Sequence, residues 1–278
     1  LEKENIKFDT YILLNNFLKK LIIFWKIPFL GYKKIILSSN TPDNPIYFSY
    51  FQLKILKKLY KIELINILWD TCSKNFATKR KDLLICDKNI VGDHDFKKRF
   101  DYKKNNIFQR VFWFDEKKLM SLANNYDLKK NIDTIFIGQT SNYRDYRSKT
   151  LRYLKENTDI FTSEKIREEF LPDSEYFNLM SRAKICINFS MSVDYHQIKG
   201  RCYESFIFKT LVLEDERSPL LEYFSPNEDL VTYKDKYDLL EKINFYLNNE
   251  DERIRITENA KKKYTINFSS YNYWKNIL

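Results

Sequence analysis

The stretch that decides the fold is KICINFSMSVDYHQIKGRCYESFIFKTLVLED, residues 184–215. Its apolar run KICINFS (184–190) predicts a strand, and after a long polar excursion the chain re-enters a short helical pattern at Tyr203–Phe208. A second apolar run, TLVLED (210–215), then predicts another strand. A strand, a helix and a strand in succession are typical of a βαβ unit in a parallel sheet.

The same alternation extends through the second half of the chain. IDTIFIG (132–138) has the pattern of a buried strand, and KYDLLEKINFYLNN (236–249) has the spacing of an amphipathic helix. Further strands are predicted at 158–162 and 229–233, and further helices at 144–157, 174–183 and 251–264.

The first half shows shorter signals of the same kind. The stretch 49–61 has helical spacing, and strands are predicted at 8–14, 32–39, 63–70, 82–87 and 107–114. The segment DLKKN (127–131) is the best candidate for the linker between the two halves. We therefore predict an α/β protein with two Rossmann-like domains, 1–128 and 129–278, that face a cleft, with ligands bound beyond the carboxyl ends of the strands.

Positive charge is concentrated in one half of the chain. Residues 1–130 hold 26 Lys and Arg against 14 Asp and Glu, whereas residues 131–278 hold 22 against 24. Such a basic half suits a nucleic acid, an anionic membrane surface or an acidic substrate, or it is simply a solvated lysine-rich surface. Because no recognised nucleic-acid motif is present, we expect no nucleic-acid partner.

The cysteine content and the hydropathy pattern indicate the cellular compartment to expect. The four cysteines form no C-x-x-C pair, and the two histidines do not cluster, which argues against a zinc site or a disulfide framework and suits a reducing cytosol. The most apolar run, LIIFWKIPFLGY (21–32), is broken by Lys26 and Pro28 and is too short to span a bilayer. We expect a cytoplasmic protein.

The loop after the strand 132–138 is the first candidate binding segment. Gly138 ends the strand, and Gln139, Thr140 and further small polar residues follow before a helix. Backbone N–H groups in such a turn can point at a phosphate, and Arg144 or Arg147 can add positive charge. The segment does not match G-x-G-x-x-G or a P-loop.

The second candidate segment is QIKGRCYESF (197–206). Glu204, near the start of the short helix, can accept hydrogen bonds from two vicinal hydroxyls, as on a ribose, while Lys199 and Arg201 can neutralise a diphosphate. Two plainer interpretations stay open: Glu204 as an acid favoured by the helix dipole, and Arg201 as an ordinary ion-pair partner. The segment EDERSP (214–219), after the next strand, can add polar contacts.

Residues 132–278 resemble the carboxyl-terminal domain of GT-B glycosyltransferases, in particular the group 1 set related to the spore-maturation protein CgeB. The resemblance depends on the pattern Q-x-K-x-R-x-x-E, then an apolar strand, then L-x-x-x-F. The stretches that show it are FIG (136–138), YFNLMSRAKICINFS (176–190), QIKGRCYES (197–205), TLVLED (210–215), 220–247 and 253–264. The first half resembles the partner domain only in its alternation, and it implies a domain that is short at its start.

The resemblance implies a role for individual residues of the second domain. Glu204 matches the second glutamate of the E-x7-E motif and would contact the ribose of a nucleotide-sugar. Its first glutamate falls on His196, which leaves the sugar-facing role to His196 or Asp194, or to a different arrangement. The implied donor-binding set is Gly138, Gln139, Thr140, Arg144, Lys199, Gly200, Arg201, Glu204 and Ser205.

The first domain offers weaker catalytic candidates. Asp70 ends the strand predicted at 63–70, and His94 lies between Asp93 and Asp95 in a loop. Each of these groups is a possible general base for an acceptor hydroxyl. With His196, the catalytic candidates are therefore Asp70 and His94.

The expected activity is transfer of a sugar from a nucleotide-sugar to a glycan, lipid-linked or polysaccharide acceptor, without a metal or other cofactor. The basic first domain suggests an anionic acceptor and peripheral contact with the inner face of a membrane. The alternative is a non-catalytic nucleotide-sugar-binding or scaffold protein derived from a glycosyltransferase, which the histidine at position 196 favours.

Overall fold

The computed structural model describes residues 9, 17–39, 48–68, 82–92, 107–109, 116–126, 128–138, 145–163, 171–189, 198–268, 270–275 and 277. The chain divides into two compact units, Leu1–Phe112 and Trp113–Leu278. The boundary drawn from the sequence, after residue 128, lies further along the chain. The difference arises because a helix at Glu116–Ala123 packs within the second unit.

The first unit contains a parallel sheet, with helices between its strands. Its elements are α1 (Phe17–Phe29), β1 (Lys34–Ser39), α2 (Tyr50–Lys58), β2 (Glu63–Leu68), α3 (Asp82–Ile85), β3 (Lys88–Val91) and β4 (Ile107–Gln109). Among the described residues the strand order is β1-β2-β3-β4, with Ile36 opposite Ile65 and Ile67 opposite Ile90. The predicted parallel pairing is confirmed for these strands, while the strand predicted at 8–14 lies outside the described residues except for Asp9.

Helix α2 shows why the predicted helix at 49–61 begins where it does. The backbone N–H of Ser49 donates to Gln52 Oε1 at 2.8 Å, and the Ser49 hydroxyl accepts from the Gln52 N–H at 3.3 Å, which forms a capping box. Leu53 and Leu56 then point into the core, where both are fully buried. The cap and the apolar face together fix the helix on the sheet.

The strand predicted at 82–87 is wrong, since this segment begins with the short helix α3 and the strand follows it. Short apolar runs do not distinguish a strand from a buried helical turn. Here the carbonyl groups of the turn have side-chain donors: Asn89 Nδ2 donates to Leu83 O at 3.0 Å, and Lys57 Nζ donates to Ile85 O at 2.7 Å. These hydrogen bonds take the place of the inter-strand hydrogen bonds that a β-strand would form.

The second unit contains a larger parallel sheet. Its elements are α4 (Glu116–Ala123), β5 (Ile132–Ile137), α5 (Asp145–Asn157), β6 (Ile160–Ser163), α6 (Asp173–Arg182), β7 (Ala183–Ile187), α7 (Gly200–Ile207), β8 (Leu211–Asp215), β9 (Val231–Tyr233), α8 (Lys236–Asn248), α9 (Glu250–Asn267) and α10 (Ser270–Lys275). The strand order is β6-β5-β7-β8-β9, and the paired strands are parallel. The α/β class with two parallel sheets is therefore confirmed.

The strand order of the second unit creates a switch point between β5 and β7. From β5 the chain steps to one side to form β6, and it then crosses back to form β7 and continues in the opposite direction. In sheets of this order, ligands bind in the crevice outside the carboxyl ends of the two strands at the switch point. Gly138 follows β5 and Asn188 follows β7, so both lie at this position.

The sheet of the second unit has a buried layer on each face. On one face, Phe136, Ile185 and Leu213 pack with Leu151 of α5 and Ile243 of α8. The opposite face is covered by α6, α7 and α9. The aromatic side chains of that layer stack closely, with ring centroids 5.3 Å apart for Tyr203–Tyr264, 4.5 Å for Phe206–Phe224 and 5.0 Å for Phe224–Phe268. These large rings hold α7 against the sheet from outside.

Lys130 fixes the carboxyl end of α7. Its Nζ donates to Phe208 O at 2.7 Å and to Thr210 Oγ1 at 2.9 Å. Burial, followed by the charges of Arg253 and Lys209, lowers the pKa of Lys130 to about 7. The partly buried amino group of Lys130, about half protonated near pH 7, therefore donates to the helix carbonyl at the point where the chain turns into β8.

Within the described ranges, no helix is both long enough and apolar enough to cross a membrane.

Lys209, between α7 and β8, has a φ of 55°, in the left-handed region. Glycine adopts this conformation without steric cost, so we expect Lys209→Gly to raise the free energy of unfolding by about 1 kcal/mol. Urea denaturation measures the change. Lys209→Ala is the control, because it also removes the exposed 2.5 Å contact to Glu258 but keeps the strained backbone. A glycine variant less stable than the alanine variant would contradict the expectation.

Candidate functional site

The carboxyl edge of the second sheet brings together side chains from distant parts of the chain. Gly138 follows β5, Asn188 follows β7, Glu214 lies in β8, and Arg201 and Glu204 belong to α7. Because the strands are parallel, their carboxyl ends meet at one edge. Helix α7 begins at that same edge, so its first turn faces the ends of the strands.

Arg201 lies directly against Gly138. A Cβ added to Gly138 would lie 2.7 Å from Arg201 Nη2, closer than real Cβ atoms approach, and 3.0 Å from Phe136 Cζ, which is a tight contact. The guanidinium carbon of Arg201 is 5.2 Å from the centroid of the Phe136 ring, within the range of a cation–π contact. The glycine at the end of β5 therefore leaves the space that the arginine occupies.

Asn188 links Arg201 to a buried carboxylate. Arg201 Nη1 donates to Asn188 Oδ1 at 3.1 Å, and Asn188 Nδ2 donates to Glu214 Oε2 at 2.5 Å. The backbone of Asn188 is held by two further bonds: its N–H donates to Leu213 O, and its carbonyl accepts from the Tyr233 hydroxyl, both at 2.8 Å. The position of the guanidinium is therefore set by a side chain anchored in the sheet.

Glu214 is fully buried beneath α7. Besides the bond from Asn188, its Oε1 accepts the N–H of Asp215 at 3.0 Å, and its Oε2 lies 3.6 Å from the donor Cys202 Sγ. A buried carboxylate needs such partners because its desolvation is costly. Glu214 thus connects β8, the end of β7 and α7.

Glu204 forms a second polar contact on α7, where Tyr176 of α6 donates its hydroxyl to Glu204 Oε2. Burial raises the pKa of Glu204 above its ordinary value of 4.5, while the bond from Tyr176 and the charge of Arg201 oppose that rise. Burial and the nearby Glu204 carboxylate raise the pKa of Tyr176 well above its ordinary value. At neutral pH the tyrosine is therefore the donor and the glutamate the acceptor.

The start of α7 adds positive character to the same edge. Lys199 occupies the N-cap position, half-buried and without a side-chain cap, and Gly200 begins the helix. The N–H groups and the dipole at a helix N-terminus favour an anion. The N-terminus of α7 and the guanidinium of Arg201 together make this edge suited to bind a negatively charged group.

A second arginine, Arg147, also contacts the Phe136 ring. Arg147 of α5 is 4% exposed, and its Nη2 donates to Phe189 O at 3.1 Å. Its guanidinium carbon lies 5.6 Å from the Phe136 ring centroid and 5.3 Å from that of Phe189. Phe136 thus has two guanidinium groups next to it, from Arg147 and Arg201.

The structure brings together Gly138, Arg201 and Glu204 from the predicted donor-binding set, with Lys199 and Gly200 adjacent at the start of α7. Ser205 does not join them, because it is fully buried and its hydroxyl donates to Met180 Sδ at 3.3 Å. The remaining candidates lie outside the described residues: Gln139, Thr140, Arg144, His196, Asp70 and His94.

Three residues of the site do not follow from the sequence reasoning: Tyr176, Asn188 and Glu214. Asn188 and Glu214 carry a usable signal, since each is a polar residue that continues an otherwise apolar strand pattern. The sequence predicts Glu214 and Asp215 both as the end of the strand 210–215 and as the start of a polar segment, 214–219. Both are buried in β8, where Asp215 accepts two side-chain bonds from Arg217 at 2.9 and 2.8 Å. Tyr176 has no local signal, because its partner Glu204 is on another helix.

Neither clustered metal ligands nor an activated thiol occurs in the described part of the chain. It contains no group of three or more His, Cys, Asp or Glu residues placed to hold a metal ion. Burial raises the pKa of the Cys186 thiol to about 11 and that of Cys202 well above its ordinary value. Both thiols are therefore protonated near neutral pH, and a protonated thiol is a poor nucleophile.

Comparison with protein families gives one match at this unit. The family described as glycosyl transferase-like matches residues 126–278. No curated protein matches the chain in a sequence search.

Several solved structures share the fold at low sequence identity. HepE from Anabaena, in complex with UDP and glucose, is 12% identical with a TM-score of 0.58, over 95% of this chain and 82% of HepE. A glycosyltransferase from Rickettsia africae is 14% identical with a TM-score of 0.60, over 99% and 84% of the two chains. A TarM variant from S. aureus, bound to fondaparinux, alpha-GlcNAc-glycerol and UDP, is 12% identical with a TM-score of 0.61, over 93% of this chain and 58% of TarM.

The bond between Tyr176 and Glu204 gives a test of the site's internal structure. We expect Tyr176→Phe to lower the free energy of unfolding at pH 7 by about 1–3 kcal/mol, because a buried carboxylate loses a donor. Chemical denaturation measures the change. The control is Tyr126→Phe, which removes only an exposed 3.4 Å bond to Ser174 O. Equal losses of unfolding free energy in the two variants would show that the bond to Glu204 stabilises the protein no more than an exposed hydrogen bond does.

Proposed function

Because the chain belongs to the glycosyl transferase-like family, which matches residues 126–278, we propose that it transfers a sugar from a nucleotide-sugar donor bound at the carboxyl edge of the second sheet. The chain is accordingly a glycosyltransferase with the GT-B type of α/β fold. The observation that supports the donor site best is the pair Arg201 and Glu204, one helical turn apart on α7 and next to Gly138. Within the family resemblance, we retain the CgeB-like group as part of this proposal.

Arg201 is suited to the diphosphate of the donor. Its guanidinium group has five N–H donors in a planar arrangement, and Asn188 orients it through one bond at 3.1 Å. Lys199 and the N-terminus of α7 lie at the same edge. The three features supply positive charge where a diphosphate would sit.

Glu204 is suited to the ribose. Residues three apart on a helix are neighbours on its surface, with about 5–6 Å between their Cβ atoms. The diphosphate and the ribose of a nucleotide are likewise adjacent, so a cation and a carboxylate at this spacing match two successive parts of one ligand. Tyr176 bonds to Oε2 of the carboxylate and so fixes its orientation toward ribose hydroxyls.

We propose that the leaving nucleoside diphosphate is stabilised by these groups without a metal. In the transfer step, negative charge develops on the phosphate oxygens as the bond to the sugar breaks. Arg201, Lys199 and the dipole of α7 are arranged to meet that charge before the reaction begins. The sugar then moves to an acceptor hydroxyl, whose proton goes to a general base.

The acceptor and the general base are proposed from the structural relatives and from the charge distribution. HepE was solved with UDP-glucose, and TarM was solved with fondaparinux and alpha-GlcNAc-glycerol. We propose a glycan, lipid-linked or polysaccharide acceptor, anionic because of the basic first half of the chain. His196, Asp70 and His94 remain the proposed catalytic candidates, in a cytoplasmic enzyme at the inner face of a membrane.

A second candidate function is a nucleotide-sugar-binding protein without turnover. It is favoured by His196, which replaces the glutamate that the resemblance implies beside the donor sugar. A hydrolysis screen with UDP-, GDP- and dTDP-sugars separates the two. Turnover that is lost in Glu204→Ala supports the transferase, whereas binding without turnover supports the binding protein.

UDP binding tests the donor site directly. We expect Arg201→Lys to weaken UDP binding roughly tenfold or more, because lysine lacks the planar fork that bonds Asn188 and a phosphate together. Isothermal titration calorimetry measures the affinity. Arg182→Lys is the matched control, since Arg182 ends α6 at the opposite edge of the sheet and bonds Asn131. The donor site would be misplaced if both variants bound UDP like the original chain.

The raised pKa of Glu204 predicts a pH dependence of UDP binding. Only the ionised carboxylate accepts hydrogen bonds from both ribose hydroxyls, so binding should weaken as the pH falls through a pKa that lies above 4.5. Calorimetry at several pH values between about 5 and 8 measures the UDP affinity, because a carboxyl group with a raised pKa changes its ionisation at the lower end of this range. Glu204→Gln should bind more weakly and lose this dependence. An unchanged pH profile in that variant would assign the titration to another group.

A further inference from the structure

Helix α1 has apolar side chains on two opposite sides. The inward side, Ile23, Phe24 and Ile27, is buried in the core of the first unit. The outward side consists of Leu18, Ile22, Trp25 and Phe29, which are 68%, 54%, 54% and 88% exposed. At about 100° per residue these four positions fall on one line along the helix. We call them the outer stripe.

The outer stripe is unusual for a surface helix. Single exposed apolar residues are normal, but a continuous row of large ones marks an interaction surface. Leu30, directly after the helix, is also 52% exposed and extends the apolar surface. A helix that serves only the core of its own unit would have polar residues at these positions.

The charged residues of the segment that carries the outer stripe have a single sign. Residues 17–33 contain Lys19, Lys20, Lys26 and Lys33 and no acidic residue. Lys19 and Lys26 are exposed and lie two turns apart on one flank of the stripe. Large apolar and aromatic side chains bordered by lysines are the composition of helices that lie in the interface of an anionic membrane.

We propose that α1 is a membrane-docking element, which inserts its outer stripe into the boundary between headgroups and acyl chains of a bilayer that contains anionic lipids. The helix has 13 residues and is about 20 Å long, so it lies in the plane of the membrane. The end of the helix is defined by Pro28 and by Gly31, which has a φ of +72°. Lys19 and Lys26 then meet the lipid headgroups.

The charges favour a lipid surface over a second copy of the chain. In a twofold contact the same patch meets itself, so the lysines beside one stripe would face those beside the other. The segment 17–33 has no acidic residue to balance them. Anionic headgroups supply negative charge beside the stripe, and each lysine close to such a surface gains a favourable electrostatic interaction. The docking does not depend on the sugar transfer reaction.

Sedimentation of the full chain with vesicles tests the proposal. We expect binding to phosphatidylcholine vesicles with about 30% phosphatidylserine, and weaker binding at about 0.5 M salt than at about 0.1 M. Trp25→Ser with Phe29→Ser should lower the partition coefficient roughly tenfold or more, because two large side chains no longer insert. The matched control is Phe245→Ser with Ile266→Ser, which removes exposed apolar groups from the second unit and should bind like the original chain.

Lys19→Glu with Lys26→Glu provides a second variant that leaves both apolar sides of α1 intact. It should lose binding to anionic vesicles even if the Trp25 and Phe29 variant proves unstable by circular dichroism. The proposal is overturned if the original chain does not bind anionic vesicles, or if the α1 variants bind as it does. A dimer that dissociates in the α1 variants, without vesicle binding, assigns the stripe to a second copy and also overturns it. UDP affinity, measured on the same samples, reports separately on the donor site.

Discussion

Glu214 buries a carboxylate completely inside the second unit, and the hydrogen bonds that compensate for this burial determine the position of α7. One oxygen accepts from Asn188, which in turn accepts from Arg201. Leaving a charge of this kind without partners would cost several kcal/mol. The network therefore couples the stability of the sheet to the orientation of the guanidinium at its edge, so the same residues serve the fold and the site.

Helix α7 is held from several directions at once. Tyr203 and Phe206 pack against aromatic rings of α9 and its surroundings, and Lys130 bonds the carbonyl at the carboxyl end of the helix. Side chains on a helix fixed in this way need little rearrangement when a ligand arrives. The short segment Gly200–Ile207 thus presents Arg201 and Glu204 in a defined geometry.

The sequence predicts the fold better than it predicts the site. Strand and helix patterns in the second half agree with the structure because buried parallel strands give long apolar runs, whereas the short run at 82–87 suits a helical turn equally well. Arg201, Glu204 and Gly138 were found because they follow strands. The contact of Tyr176 with Glu204 and that of Glu214 with Asn188 do not follow from the sequence, since they are set by helix packing and strand register, which no local pattern encodes.

The close contact between Gly138 and Arg201 couples the packing of these two positions. A side chain at position 138 would have to displace the guanidinium, and a smaller residue at position 201 would leave a gap above Phe136. Either change alone disturbs the edge of the sheet, while a paired change can preserve its packing. A larger residue at position 138 should therefore be accommodated more easily when position 201 changes with it.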